Sequence, residues 1–326
     1  MSAVVLLGGG GHCRSVIDVI EQAGLYSILG VLEKEGFSDS NLMGYPLLGS
    51  DQDLPAFIEQ NCAVVITIGQ IKTSEPREKL YRYAKGAGAE MPVVVSPRAY
   101  LSRHAKVGSG TTVMHEAIVN CSAEIGENSR IGVNAIIGPG VRIGRDCEIG
   151  PGAVVEAALI GNGVRLKANS VIGGTGFGLI PTNTGILSAP HFGRVILQDK
   201  VSLGSCVCVD RGMFDDTVIG EGSQIDNHVH IGHNVQIGRN CVIAAFGGLS
   251  GSVVIEDGVQ MGGRVGIADH VRIGQGARLA ADAAIMRDIP ANETWGGSPA
   301  KPFRQWMKET AWLSKAVKTR TRSSDK

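Results

Sequence analysis

Of the eight histidines in this 326-residue chain, three stand close together in Ile225-Asp226-Asn227-His228-Val229-His230-Ile231-Gly232-His233-Asn234. An imidazole changes charge near neutral pH, so it can move a proton or ligate a metal. His228 and His233 have the HxxxxH spacing of two ligands. Zinc chemistry there would need a third neutral imidazole and an open position. His191 is where that third ligand would be sought. A second group of interest is Gly8-Gly9-Gly10-Gly11-His12, which follows the apolar run Ala3 to Leu7 and precedes an amphipathic segment from about Arg14 to Ala23. Strand, glycine turn and helix in that order suit a phosphate held by free N–H groups at the helix start. Cys13 occupies the third glycine position of a GxGxxG fingerprint, so a dinucleotide cofactor is not favoured.

The elements that position the histidines repeat every six residues. Aliphatic side chains fall at Val107, Val113, Val119, Ile125, Ile131, Ile137, Ile143, Ile149 and Val155, and again from Ile219 through Ile231, Ile243 and Ile255 to Ile285. Neither an amphipathic helix nor a half-buried strand has that period, whereas repeat architectures do show fixed internal periods. A prism with three short strands per coil explains it. Each aliphatic side chain points inward, and the Gly or Asn that follows supports the corner, where positive φ is cheap for Gly. Successive coils then pair as parallel strands about 4.8 Å apart. One coil uses eighteen residues. His233 and Gly251 are therefore one coil apart, so an imidazole and a backbone N–H can face one small volume. His270 lies about two coils from His233. His191 sits off the repeat beside Pro190, in a glycine-rich interruption.

Composition agrees with such a fold. Glycine stands at 46 residues and aromatics at 5%, which suits tight turns and stacked small side chains rather than an ordinary packed domain. With 31 basic and 31 acidic residues the chain is neutral, and nothing global points to nucleic acid. Ala3 to Leu7 is too short for a signal peptide and lacks a basic leader. No stretch approaches a membrane span, so no stable membrane insertion is expected. The seven scattered cysteines contain no CxxC, and a cytoplasmic protein is expected. Three domains follow: residues 1–98, a small α/β unit; 99–290, the coils, with an inserted loop at 173–194; and 291–326, a C-terminal helix and basic tail. Ser298-Pro299 reads as the start of that helix. Phe303, Trp306, Met307, Thr310, Leu313 and Val317 form its apolar face, which is expected to cap the prism. Lys301, Arg304, Lys308, Lys315, Lys318, Arg320 and Arg322, against Glu309 and Asp325, make the opposite face basic, which suits an acidic partner.

The N-terminal residues resemble the sialic-acid and bacillosamine acetyltransferase group. The likeness runs through GGGGHCR at 8–14, TIGQ at 67–70, REKL at 77–80 and VVVSPRAYLS at 93–102. It implies a uridine-diphosphate sugar site involving Gly10, Gly11 and His12. Glu33 replaces the acidic pair that group usually carries. Gly138-Pro139 stands where that group has its catalytic histidine, and His115 belongs to a different coil.

From about Val171 to Pro302 the chain resembles the UDP-3-O-acylglucosamine N-acyltransferases of lipid A synthesis. The motifs are GFG at 176–178, HFGRV at 191–195, DRG at 210–212, DDTVIG at 215–220, and IDN at 225–227 followed by His233-Asn234. This resemblance implies a mainly β protein with a left-handed parallel β-helix, assembled as a homotrimer. It implies His233 as catalytic base, the Gly251 N–H as oxyanion donor, and His270 as a second functional histidine. Asp226 and Asn227 match positions that orient the base or the sugar. The acyl donor would be a 3-hydroxyacyl chain on the phosphopantetheine of acyl carrier protein, with no resident cofactor. The acceptor would be the amino group of a UDP-3-O-acylglucosamine. An acetyl-CoA-dependent N-acetyltransferase acting on a UDP-amino sugar is the alternative that the N-terminus suggests. A metal-binding β-helix of the γ-carbonic anhydrase type is a second, but with His191 off the repeat no metal is expected.

Overall fold

The computed structural model describes residues 2–34, 41–69 and 75–324, with side chains to residue 316. Gln70 of the N-terminal motif, the side chains of Val317, Lys318, Arg320 and Arg322, and Asp325 lie outside the described residues. Two compact units divide the chain, Met1–Ser170 and Val171–Lys326. The α/β segment and the first coils thus make one body, and the expected boundary near residue 98 falls inside it.

In the first unit, Val4, Val5, Leu6 and Leu7 are all buried, as befits a strand covered on both faces. This strand, β1 (Ser2–Leu7), pairs in parallel with β2 (Tyr26–Leu32) and β5 (Ala63–Ile66). β3 (Asn41–Leu42) and β4 (Tyr45–Gly49) complete a sheet of order β3-β4-β2-β1-β5. Helix α1 (Gly11–Ala23) packs Cys13, Val16, Ile17, Val19 and Ile20 into one core. α2 (Leu54–Glu59) and α3 (Glu75–Gly86) contribute Leu54, Tyr81 and Ala84 to another. Arg77 of α3 is fully buried. Its guanidinium donates to the carbonyls of Ile66 (2.7 Å), Ile68 (3.3 Å) and Gly110 (3.4 Å), tying the sheet to the first coils.

The coils obey the eighteen-residue rule. Tyr100 pairs with Ile118, Ile118 with Ile136, and Ile136 with Val154. In the second unit His230, Gly248, Gly266 and Ala284 form one such ladder. Every inward aliphatic along it, Ile231, Leu249, Ile267 and Ile285, is buried, each worth about 1.5–3 kcal/mol of transfer free energy. Polar columns inside the corners are satisfied between coils: the Ser223 hydroxyl donates to the Gly238 carbonyl (2.9 Å) and accepts from the Cys241 N–H (3.0 Å).

The structure corrects two of these expectations and adds detail to a third. First, the glycine after each aliphatic residue is not the left-handed one; that conformation falls two residues later, at Asn128, Asn134, Asn234 and their equivalents. The glycine is required by close approach instead. A Cβ on Gly126 would lie 2.5 Å from the Arg145 nitrogen, and one on Gly132 2.7 Å from that of Pro151. Second, the segment expected as an inserted loop at 173–194 has regular structure of its own. It carries an antiparallel hairpin, β6 (Leu179–Thr182) with β7 (Gly185–Ser188). Third, the last helix, α4, spans Phe303–Ser324 rather than starting at Ser298-Pro299. Lys301 and Pro302 pair back antiparallel onto Thr294–Gly296, so the chain must reverse before a helix can begin. Trp295 takes an inward position beneath Leu279 at 5% exposure, so the final coil holds an indole. Only the first turn of α4 covers the coil end, with Phe303 against Gly296 and Trp306 against Gly297. Met307, Trp312 and Leu313 are exposed.

Candidate active site

All of the site lies within the second unit. A groove of about 680 Å³ is bordered by His233, Gly251, His270, Asp210, Phe177 and Met286, among others. Its floor is the outward ladder Gly248, Gly266 and Ala284, whose lack of side-chain bulk leaves the trough open. Nothing stands within 4 Å of a Cβ built on Gly248 or Gly266.

His233 and Gly251 are adjacent, as one coil of spacing requires. A Cβ on Gly251 would sit 2.6 Å from His233 Nε2 and 2.7 Å from its Cε1, so the imidazole rests on the bare Cα of the next coil. Only glycine allows that contact. Around this corner the Ser250 N–H donates to the Ile267 carbonyl, the Ser252 N–H to that of His233, and the His270 N–H to that of Gly251. Among the described residues, the Gly251 N–H donates to no backbone carbonyl. At the equivalent corners of Arg145, Ser205, Arg239 and Gln275 a side-chain oxygen takes this amide, whereas here it stands beside the imidazole.

The hydrogen-bond network fixes the tautomer of His233. Asn234 Oδ1 accepts from the Met213 N–H (3.0 Å), and its Nδ2 donates to the Asp215 carbonyl (3.4 Å). With the amide so oriented, His233 Nδ1, 3.0 Å from the same Oδ1, must be the donor. In the neutral ring the proton therefore sits on Nδ1, which leaves the Nε2 lone pair on the Gly251 side. That is the form a general base needs.

The other residues expected from sequence divide into two sets. His270, exposed and in the left-handed conformation, shares the groove. Asp226 and Asn227 do not border it; they lie at a different corner. There the Asn227 Nδ2 donates to Asp226 Oδ1 (2.8 Å), and its Oδ1 accepts from the Ser205 N–H (2.8 Å). His228 stacks on Phe246 at 5.1 Å. In the first unit Gly10 and Gly11 are exposed, with open space where a Cβ would stand. The Gly9 N–H is already taken by the Glu33 carboxylate, so part of the amide cradle carries an internal anion. His12 points inward. Burial, with Arg130 and Arg77 nearby, holds it well below the usual histidine range.

Against His233 stand two residues to which the sequence gives no catalytic part: His191, weighed there only as a third metal ligand, and Asp210, present only within the DRG motif. His191, nearly buried, meets it edge to face, with ring centroids 5.3 Å apart and planes 70° apart. Asp210 lies 3.6 Å from His230. Burial raises its carboxyl above the usual carboxylate range, and His230, His233 and His191 partly offset this. Among the described residues, no cluster of three or more His, Cys, Asp or Glu has the geometry to hold a metal ion.

Residues 3–84 match the family described as the PglD N-terminal domain, and residues 122–157 and 216–251 match the bacterial transferase hexapeptide (six repeats). A UDP-3-O-acylglucosamine N-acyltransferase of Caulobacter sp. (strain K31) is 50% identical over 163 residues, covering 50% of this chain and 48% of that protein. The enzyme of the same name from Caulobacter vibrioides (strain NA1000 / CB15N) is 57% identical over 163 residues, with the same coverage. The chain thus spans about half the length of the curated relatives it matches. Among solved structures, the Arabidopsis UDP-N-acetylglucosamine acyltransferase is similar over 64% of this chain and 73% of that one, at 20% identity and a TM-score of 0.50. That likeness supports the coil fold.

Proposed function

We propose that this protein is an N-acyltransferase that moves an acyl group from a pantetheine thioester to the amino group of a nucleotide-linked sugar. The observation that carries the reading is the contact between His233 and Gly251. It sets a bare imidazole nitrogen and a spare backbone N–H at one point in an open groove. The sugar nitrogen attacks the thioester carbonyl carbon, forming the C–N bond. His233 Nε2 takes the proton from that nitrogen. The Gly251 N–H receives the oxyanion of the tetrahedral intermediate. As the C–S bond breaks, the proton passes from His233 to the leaving thiolate, and the imidazole is restored. A placed base contributes about 10²–10⁴-fold, and one oxyanion donor about 10²–10³-fold. Both groups sit on coil corners fixed by ladder hydrogen bonds, so they come preorganised.

The full reading takes a 3-hydroxyacyl chain on acyl carrier protein as donor and UDP-3-O-acylglucosamine as acceptor, in a cytoplasmic homotrimer. The sequence similarity to enzymes of that name supports it, as does the basic face of α4 towards an acidic carrier. The match of residues 3–84 to the PglD N-terminal domain favours a second reading, acetyl transfer from acetyl-CoA to a UDP-amino sugar, with Gly10, Gly11 and His12 at the nucleotide. Among the described residues no helix is long and apolar enough to cross a membrane. Incubating the purified protein with each donor and acceptor pair, with products read by mass spectrometry, separates the two. The primary reading expects N-acylated product only from the hydroxyacyl carrier protein. Turnover with acetyl-CoA alone would overturn that donor.

A further inference from the structure

We propose that His191 and Asp210 are positioning residues that bracket His233, holding its ring against Gly251 and setting a carboxylate where the base becomes positive. This rests on the acyl-transfer reading of the same groove. Neither residue belongs to the six-residue stride. His191 comes from the segment that follows the inserted hairpin, and Asp210 ends the strand Cys208–Asp210.

His191 is placed with unusual constraint. Its Nδ1 is 3.0 Å from the Ala189 carbonyl and must donate to it. Nε2 then carries the lone pair, and it is buried with no hydrogen-bond partner. Leaving a buried acceptor unmet carries the desolvation penalty of that group, and such a group in a native fold calls for a reason. The backbone around it is cut back to admit the ring. A Cβ on Gly176 would lie 2.7 Å from His191 Nε2 and 2.9 Å from His233 Cβ, and one on Gly178 would lie 3.1 Å from His191 Cε1. The GFG motif thus gives up two side chains so that two imidazoles can meet. A close-packed ring on one side leaves His233 little freedom to swing away from Gly251.

Asp210 supplies the complementary charge. Its side chain is 14% exposed and 3.6 Å from His230 Nε2, and it borders the same groove as His233. When His233 accepts the amine proton, an imidazolium forms beside a carboxylate that is partly withdrawn from water, where the attraction is stronger than in bulk solvent. Asp226, the carboxylate expected from sequence, is exposed and bonded to Asn227 at another corner.

The test uses the full-length chain carrying His191→Ala, His191→Phe or Asp210→Asn. Asp210→Asn and His191→Ala should each lower kcat by about tenfold or more while KM stays within about twofold, the mark of an interaction made in the transition state. His191→Phe keeps the ring and should recover most of the loss caused by His191→Ala. In parallel, ¹⁵N–¹H spectra of the imidazoles read the bracket without any turnover. The Nδ1–H resonance of His233, donated to Asn234, should broaden in His191→Ala and persist in His191→Phe. Unchanged kcat in both Asp210→Asn and His191→Ala, or an unchanged His233 resonance in His191→Ala, would overturn the proposal. Should the parent protein transfer no acyl group at all, the acyl-transfer reading fails, and the imidazole spectra still decide whether the bracket exists.

Discussion

Two histidines, one in each unit, show what separates a structural imidazole from a candidate base. His115 uses both ring nitrogens: Nδ1 meets the Ser96 hydroxyl at 2.7 Å and Nε2 meets Asp18 at 2.8 Å. On paper that Asp18–His115–Ser96 chain looks like a nucleophilic triad. Yet Ser96 is 1% exposed and its oxygen also accepts from the Arg98 N–H, so no substrate can reach it. His233 commits only Nδ1, and its Nε2 faces a groove. A full set of partners makes the first ring a fastener between α1 and the first coils. One nitrogen left bare makes the second a reagent.

The sharpest way to break this contrast is to remove each ring. His233→Ala should lower acyl transfer by about 10²–10⁴-fold and leave the melting temperature nearly unchanged. Gly251→Ala comes next. Its methyl would meet His233 Nε2 at 2.6 Å, so the ring must leave its seat. A loss of about 10²-fold is expected, comparable to removing an oxyanion donor, with the circular dichroism of the folded chain retained. The reverse pattern is expected of His115→Ala. Activity should stay within about twofold, while stability in urea falls by about 1–3 kcal/mol, because a buried Ser96 hydroxyl loses its partner. Equal activity losses in His115→Ala and His233→Ala would erase the distinction.

The smallest effect concerns His12, which also has an unpartnered buried nitrogen but borders no described groove. Burial first, then Arg130 and Arg77, depress its proton affinity in the fold. A depressed histidine favours folding above its ordinary value of 6.5, and that contribution is lost as pH falls below it, because the unfolded chain then binds a proton the fold refuses. The loss should approach about 1.4 kcal/mol per pH unit, followed by chemical denaturation of the first unit between pH 6.5 and 5. His12→Phe should flatten that slope. An unaltered slope would show that some other group titrates.

The same contrast marks what the sequence could disclose. The coils were legible because burial inside a prism imposes one aliphatic residue every six positions, and Ile231, Leu249 and Ile267 obey it without exception. That stride also brings His233 and Gly251 together, since a full coil is a fixed number of residues. Asp210 was given no role, and His191 was weighed only as a metal ligand, because both ride on the departures from the stride. Cys208 pairs with His230 across a coil lengthened to twenty-two residues, and Val171 pairs with Cys208 across the whole hairpin insertion. Asp226 looked apt by motif, yet the strand that carries it faces another side of the prism. Ser298-Pro299 had the composition of a helix start, but the antiparallel return of Lys301–Pro302 onto Thr294–Gly296 consumed those residues first. Glu33 could be compared with an acidic pair, while its bond to the Gly9 N–H depends on where β2 ends beside the glycine turn.

The central claim is tested most directly by a crystal structure with a non-cleavable amide analogue of an acyl-pantetheine. The analogue should lie along Gly248, Gly266 and Ala284, with its carbonyl oxygen about 2.7–3.1 Å from the Gly251 nitrogen and the His233 Nε2 facing the reacting carbon. An analogue bound elsewhere, or one whose carbonyl points away from Gly251, would contradict the account.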